Sequence, residues 1–173
     1  MKSTKSLIAY FSRKGNNYLG GVIVDLKVGN TEVIAKKIQE LTGSDMFEIK
    51  TVKVYPKDYT ETTNVSKEEL RRNARPELTE KVENMDSYDV IYLGYPNWWG
   101  TMPMAVFTFL EAYDFSGKTI IPYCTHEGSG MGSSESDITK LCSSAKILSG
   151  LAIRGSSVSK ADKDLGNWLK RGK

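Results

Sequence analysis

Short apolar runs recur along this chain, and stretches of helix length separate them. Five runs have the length and character of buried strands: Ser6–Phe11, Asp45–Ile49, Val90–Tyr95, Thr119–Thr125 and Ile147–Ile153. Val90–Tyr95 is apolar almost throughout, as is usual for strands covered on both faces. The alternation predicts right-handed βαβ crossovers, and therefore an α/β fold with a doubly wound parallel sheet and helices on both faces.

The intervening segments have helical periodicity. Amphipathic helices are predicted at Thr31–Leu41, Met104–Tyr113, Glu135–Cys142 and Lys163–Lys170. A charged helix, Ser66–Arg75, is predicted to begin at Ser66, with Glu69 three residues later as in a capping box. Nothing marks a domain boundary or a repeat, so residues 1–173 are predicted to form a single domain.

Two features depart from a simple alternation. Pro122 lies inside the fourth apolar run, where it cannot donate a ladder hydrogen bond, and it predicts a bulge or a strand end. The segment Asn16–Val28 carries Gly20-Gly21 followed by alternating apolar residues. This pattern predicts a small hairpin or edge ribbon inserted into the first βα loop.

Charge and cysteine usage limit the possible partners. The chain has 24 Lys and Arg against 21 Asp and Glu, a net charge of +3, and its basic residues are scattered. This balance does not indicate nucleic acid binding. Cys124 and Cys142 lack CxxC spacing or a histidine pattern for a metal. No apolar run is long enough for a membrane span or a signal peptide, so we expect a reduced, cytoplasmic protein.

Ligands of open parallel sheets bind beyond the carboxyl ends of the strands, in the loops that lead into helices. The first of these loops begins Ser12-Arg13-Lys14-Gly15 and, after the insertion, ends at Gly29–Thr31, where a helix begins. Free backbone N–H groups and the positive end of the helix dipole suit an anion at such a place. An ordinary helix cap with a glycine turn would explain the same residues.

Two further loops have unusual compositions. After the third strand, Trp98 and Trp99 are adjacent and Gly100 follows. Two adjacent rings in a single turn cannot both be buried in the core, so at least one of them is available to stack on a flat ligand. After the fourth strand, His126–Gly132 contains three glycines, which permit close backbone approach. His126 is either a ligand contact or a turn cap. Together the three loops predict a slot for a planar, phosphorylated ligand such as FMN.

These motifs resemble the flavodoxin-like family over about Lys5–Leu169. IAYFSRKG and the displaced VGNTEVIAKKI are similar to the family's phosphate loop, here interrupted by an insertion. LGYPNWWGTMPMAVFTFLE and IIPYCTHEGSGMG are similar to its two isoalloxazine loops. The resemblance implies a five-stranded sheet in the order 2-1-3-4-5 that binds FMN non-covalently.

The resemblance also implies the residues that contact FMN. The phosphate would contact Ser12, Asn30 and Thr31, with the backbone of Glu32 nearby. The insertion leaves the roles of Arg13 and Lys14 open between phosphate contacts and solvent. One side of the flavin would face Pro96, Asn97, Trp98, Trp99 and Gly100, and the other would face Thr125, His126, Glu127, Gly128, Ser129 and Gly130. No catalytic residue and no metal ligand is predicted.

Three functions are compatible with this interpretation. The first is an FMN-binding electron-transfer protein with a redox partner protein. The second is an FMN-dependent NAD(P)H:quinone, or related acceptor, oxidoreductase. The third is a fold relative without flavin that serves as a binding module. Electron carriers of this family are typically strongly acidic, so the slightly basic charge of this chain weakens the first interpretation and strengthens the second, while the first stays the leading prediction. The oligomeric state stays open.

Overall fold

The computed structural model describes residues 3–172, which form a parallel sheet covered by helices. The sheet strands are β1 (Ser6–Tyr10), β4 (Asp45–Glu48), β5 (Val90–Pro96), β6 (Thr119–His126), β7 (Lys146–Ile147) and β8 (Leu151–Arg154). A separate antiparallel hairpin consists of β2 (Gly15–Leu19) and β3 (Val22–Leu26). The helices are α1 (Asn30–Thr42), α2 (Tyr59–Arg71), α3 (Met104–Glu111), α4 (Ser134–Leu141) and α5 (Asp162–Arg171), with 3-10 turns at Met85–Ser87 and Gly155–Lys160.

The strand order is β4-β1-β5-β6-β7, with β8 also beside β6. Every pairing in this sheet is parallel. Counted along the chain, β7 and β8 together hold the fifth position, so the predicted order 2-1-3-4-5 is confirmed. The predicted hairpin in the insertion is also present, and its turn at Gly20-Gly21 has positive φ at both residues.

The fifth strand is interrupted beside Pro122. The prediction of a bulge or strand end at Pro122 is wrong, because β6 pairs with β5 continuously through this residue. On the other side of β6, the pairing with β7 ends at Ile120 and the pairing with β8 begins at Tyr123. The carbonyl of Ile120 accepts a hydrogen bond from Leu148, so Pro122, two residues later, faces the same side. Its missing N–H therefore faces the break in the neighbouring strand.

The charged helix begins seven residues earlier than predicted. Asp58 is its N-cap, and the Asp58 side chain accepts a hydrogen bond from the Glu61 N–H at 2.8 Å. Ser66 lies in the middle of α2, where its hydroxyl donates to the carbonyl of Thr63. The Ser66–Glu69 pair has the spacing of a capping box, but Asp58–Glu61 has it too and starts the helix. The prediction of a helix at Ser66–Arg75 is therefore wrong at both ends.

Alternate side chains of β1 pack into two hydrophobic cores, one on each face of the sheet. Leu7 and Ala9 pack with α3 and α4, whereas Ile8 and Tyr10 pack with α1 and α5. All four side chains are at most 5% exposed. This period of two, with both faces buried, is the reason that the strand is apolar throughout. No helix among residues 3–172 is long and apolar enough to cross a membrane.

Candidate functional site

A cleft of about 420 Å³ opens at the carboxyl ends of β1, β5 and β6. Its walls come from the loop after β1, the hairpin, α1, α2 and the loops after β5 and β6. The lining residues are Arg13, Asn17, Tyr18, Asn30, Thr31, Tyr59, Thr62, Thr63, Ser66, Pro96, Asn97, Trp98, Trp99, Gly100, Thr125, His126, Glu127 and Ser129. The three predicted loops therefore meet at one site. Among the predicted site residues, those outside the lining are Ser12, Lys14, Glu32, Gly128 and Gly130.

The two halves of the interrupted loop lie against each other. The Ser12 hydroxyl accepts a hydrogen bond from the Glu32 N–H at 3.1 Å, so Ser12 caps the first turn of α1 from across the insertion. A Cβ atom on Gly29 would lie 2.2 Å from Ser12 Oγ and 2.8 Å from the Arg13 carbonyl oxygen. Only glycine allows this close approach. The insertion thus leaves the two halves of the loop in close contact at the start of α1.

The start of α1 presents unused backbone donors to the cleft. The first N–H groups of a helix have no partner within the helix. Glu32 donates to Ser12, and Val33 donates to the Gly29 carbonyl. Within residues 3–172, the N–H groups of Asn30 and Thr31 have no hydrogen-bond partner. Both residues line the cleft, so these donors and the helix dipole are available to an anion.

Thr31 ties the start of α1 to β6. Its hydroxyl lies 2.8 Å from the hydroxyl of Thr125, and both side chains are buried. Its carbonyl accepts a hydrogen bond from the Tyr123 hydroxyl at 3.3 Å. Two hydroxyls need only one proton for their mutual hydrogen bond, so the second remains free to donate to a ligand. The pair therefore fixes the helix start and still offers a donor.

Arg13 and Lys14 have different roles in the structure. The Arg13 guanidinium donates to the carbonyls of Pro56 at 2.9 Å and Lys57 at 2.7 Å, and also to the carbonyl of Asn16. Burial lowers the pKa of Arg13, and its Nε has no hydrogen-bond partner. Lys14 is exposed and lies outside the cleft lining. Most of the guanidinium is thus committed to backbone carbonyls, which join the first loop to the segment before α2.

The loop after β5 turns through the two tryptophans. Trp98 and Thr101 exchange backbone hydrogen bonds of 2.9 and 3.3 Å, while Trp99 and Gly100 between them have φ of 57° and 85°. Positive φ at both central positions is the signature of a type I′ turn. Asn97 stabilises it, because its Oδ1 accepts from the Gly100 N–H at 3.0 Å. This conformation is unfavourable for a tryptophan, so the fold holds Trp99 in place.

The two tryptophans occupy different environments. Trp98 is half-buried and packs edge-on against Phe11 and Tyr55, with ring centroids 5.2 and 5.1 Å away. Trp99 is 50% exposed, and its Nε1 donates to the Ser66 hydroxyl at 3.0 Å. Trp98 is therefore the tryptophan of the pair that packs partly into the core. The Trp99 ring is fixed at the edge of the cleft by a hydrogen bond to α2.

The loop after β6 forms the opposite wall. Its three glycines, Gly128, Gly130 and Gly132, all have positive φ, a conformation that glycine adopts readily. The Asn97 side chain donates to the Gly130 carbonyl at 2.8 Å, which ties the two ligand loops together. The Ser133 N–H donates to the Gly100 carbonyl at 2.8 Å and adds a second tie.

His126 lines this wall as a neutral side chain. Its Nδ1 accepts a hydrogen bond from the Gly128 N–H at 2.9 Å, so the proton of the neutral ring is on Nε2. Burial, followed by repulsion from Arg154, lowers its pKa, and Glu127 opposes this only in part. Near neutral pH, His126 therefore caps the turn through Nδ1 and offers Nε2–H as a donor.

Neither cysteine contributes to the cleft. Both Cys124 and Cys142 are buried free thiols, and neither is a lining residue. Burial raises the pKa of Cys124 to about 12 and that of Cys142 to about 11. Thiols with such pKa values are poor nucleophiles near neutral pH. Residues 3–172 also hold no group of three or more His, Cys, Asp or Glu side chains that could bind a metal ion.

Sequence reasoning missed one wall of the cleft. The unpredicted lining residues are Asn17, Tyr18, Tyr59, Thr62, Thr63 and Ser66. The hairpin supplies the first two, and α2 supplies the rest. The sequence did contain a signal for this wall, the hydroxyl-rich stretch YTETTNVS. In the structure, the buried residues of α2 are Thr62 and Ser66, which both come from this stretch. A helix whose buried face is polar is expected to face a polar site. Which residues of α2 share that face becomes clear only once the helix is known to begin at Tyr59.

Comparison with known proteins agrees with this architecture. Two solved structures of candidate flavoproteins, from Bacteroides eggerthii and Bacteroides uniformis, are each 28% identical to this chain, with TM-scores of 0.79 and 0.76. Each covers 98% of this chain, which in turn covers 98% and 99% of theirs. A Lactobacillus acidophilus flavoprotein solved in complex with FMN has the same fold, with 22% identity, a TM-score of 0.67 and coverage of 91% and 98%. No match was found among curated proteins.

The family assignment rests on a match along nearly the entire chain. A model of the family described as flavodoxin matches residues 5–171. The observed parallel sheet with helices on both faces is the fold of this family. This chain belongs to the flavodoxin family.

Proposed function

We propose that the cleft binds FMN and that the protein transfers electrons through it. The observation that carries this proposal is the meeting of three elements at one site: unused N–H donors at the start of α1, a tryptophan fixed at the cleft edge, and a glycine-rich wall opposite. They match the phosphate, the ring and the close backbone contacts that this cofactor needs. FMN would supply the redox chemistry, and the lining side chains would bind and orient it.

The protein's own contribution is binding and orientation. The N–H groups of Asn30 and Thr31, with the hydroxyl pair of Thr31 and Thr125, would hold the phosphate. Trp98 and Trp99 would lie beside the ring, and the turn that contains Gly130 would face it. Neutral His126 would add a donor without adding charge. The Asn97 hydrogen bonds keep both ring-facing loops at a fixed separation.

Flavin titration of the purified protein tests the cofactor. We expect an absorption spectrum of bound flavin, and an affinity for FMN above that for riboflavin by at least the contribution of a phosphate held by charge-assisted hydrogen bonds, about 1.5–3 kcal/mol for each. Equal affinities would contradict a phosphate site at α1. No flavin binding at all would leave the third function, a binding module, as the better interpretation.

The net charge of +3 favours a second candidate, an FMN-dependent NAD(P)H:quinone or related oxidoreductase. Acidic carriers use their charge to attract basic partners, and this chain lacks that charge. Steady-state oxidation of NAD(P)H in the presence of a quinone separates the two candidates. Rapid turnover by the FMN-loaded protein alone would identify an enzyme, whereas reduction that needs a separate reductase would identify a carrier. Two free, buried cysteines fit a reducing compartment for either.

A further inference from the structure

The hairpin β2–β3, which interrupts the loop between β1 and α1, lines part of the cleft. Asn17 and Tyr18 of the hairpin line the cleft. The hairpin therefore belongs to the site, although it lies outside the main sheet. Its role in choosing a flavin rests on the proposed function, because only a flavin site can select among flavins.

The base of the hairpin is attached beside the start of α2. The Arg13 guanidinium donates to Asn16 of β2 and, on the other side, to the carbonyls of Pro56 and Lys57. The Asn16 N–H donates to the Lys57 carbonyl at 3.3 Å. Because these contacts are to backbone atoms, they hold the strand itself and not only its side chains.

The tip of the hairpin is attached on the opposite side of the cleft. The Gly20 N–H donates to Glu127 Oε2 at 3.1 Å, and the Ser156 N–H donates to Glu127 Oε1 at 2.9 Å. The Glu127 carboxylate thus bridges the tip and the 3-10 turn after β8. With its base at α2 and its tip at Glu127, the hairpin crosses the cleft.

The tip lies near the first residue of α1. A Cβ atom on Gly155 would be 2.4 Å from the Asn30 side-chain nitrogen, 2.7 Å from Glu127 Oε1 and 3.0 Å from the Leu19 Cδ1 atom. Three groups from distant parts of the chain therefore converge within a few ångströms. An anion bound to the N–H groups at the start of α1 would have the hairpin tip as its neighbour.

We propose that the hairpin is a specificity element: it admits a flavin that ends in a phosphomonoester and excludes one whose phosphate continues into a second nucleotide. FMN ends at the phosphate, so it fits beneath a closed end. The adenylate of FAD continues from that phosphate and would have to pass through the space that Leu19, Gly20 and the Glu127 carboxylate occupy.

A shortened hairpin tests this role. In the native hairpin Tyr18 pairs with Ile23 and Leu19 pairs with Val22, around the turn Gly20-Gly21. Deleting these four paired residues retains the turn, the register and the side-chain alternation, and shortens the hairpin by about 7 Å. We expect the FMN-to-FAD affinity ratio, measured by quenching of flavin fluorescence, to fall by at least about tenfold through a gain in FAD affinity.

Two further variants of the full-length chain sharpen the test. Glu127→Ala removes the attachment of the tip and leaves the hairpin intact, so it should lower the same ratio by a smaller factor. Val22→Thr with Ile23→Thr is the matched control, because both side chains are at least 50% exposed and lie outside the cleft lining. It should leave the ratio unchanged. If the shortened chain fails to fold by circular dichroism, Glu127→Ala carries the test.

Failure of this inference is distinguishable from failure of the proposed function. If the unmodified protein binds FMN tightly and the folded shortened variant retains its preference over FAD, the hairpin does not select the flavin and the proposed function stands. If the unmodified protein binds FAD as well as FMN, the inference is also wrong. If the unmodified protein binds neither flavin, the proposed function fails, and this inference fails with it.

Discussion

The two ends of the cleft differ in the groups that they offer to a ligand. At the proposed phosphate end, formed by the loop after β1 and the start of α1, the donors are backbone N–H groups and the elements are fixed by the buried Thr31–Thr125 pair. At the proposed ring end, formed by the loops after β5 and β6, side chains such as Trp99 lie on turns of positive φ. The phosphate end should therefore be sensitive to backbone displacement, and the ring end to loss of single side chains.

The sharpest test of this contrast is Gly29→Ala at the phosphate end. The new methyl group would lie 2.2 Å from Ser12 Oγ and 2.8 Å from the Arg13 carbonyl, so the loop must move. Displacing the Asn30 and Thr31 N–H donors, each worth about 1.5–3 kcal/mol to a charged acceptor, should weaken FMN binding by roughly a hundredfold. Calorimetric titration measures this.

Gly166→Ala in α5 is the control for that substitution. Apart from its chain neighbours and the backbone of its own helix, no atom lies within 4 Å of the position that its Cβ would take. FMN affinity should be unchanged, and helix stability should rise by up to about 1 kcal/mol. If Gly29→Ala bound FMN as tightly as this control, the phosphate would not be held at the start of α1.

The tryptophan pair should separate stability from binding at the ring end. Trp98→Ala removes a half-buried ring from Phe11 and Tyr55, and should cost about 3 kcal/mol of unfolding free energy. Trp99→Ala should cost less than about 1 kcal/mol but weaken flavin binding roughly fivefold to tenfold through lost stacking. Urea denaturation and flavin titration of both variants measure the two effects. A large stability loss for Trp99→Ala would show that this ring belongs to the core instead.

A double-mutant cycle tests whether Thr31 and Thr125 act as one unit. Thr31→Val leaves the buried Thr125 hydroxyl without its partner, and each single variant should lose about 1–3 kcal/mol of stability. With both residues changed to Val, the loss should be smaller than the sum, because no hydroxyl remains unpaired. Thermal or urea unfolding gives all four corners of the cycle. Strict additivity would mean that the two hydroxyls do not interact.

The smallest effect concerns His126, whose pKa lies below the ordinary 6.5. As pH falls, the unfolded chain takes up this proton before the folded chain does. The stability that neutral His126 supports is therefore fully present above about pH 6.5, and it is lost as pH falls from that value through the lower pKa of the folded chain. It is the only histidine in the chain, so one NMR titration reports its pKa directly. His126→Gln should remove this part of the pH dependence, and a measured pKa above 6.5 would contradict the environment described here.

The fold class and the three loops that line the cleft could be predicted from the sequence. The five apolar runs and the helices between them reflect local periodicity, and the three ligand loops were located by the rule that such loops lie at the carboxyl edge. The hairpin was also predictable, since Gly20-Gly21 between alternating residues is a local turn signal. Each of these features depends on residues that are near neighbours in the chain.

The tertiary structure decided the pairings between distant segments. Pro122 is tolerated in mid-strand because the neighbouring strand is broken beside it. Arg13 binds carbonyls more than forty residues away, and Trp98 packs on Tyr55 while Trp99 bonds to α2. A sequence pattern records the period of one element and the cap at its end. It does not record which segment will return to lie beside that element, because that depends on how all of the elements pack at once.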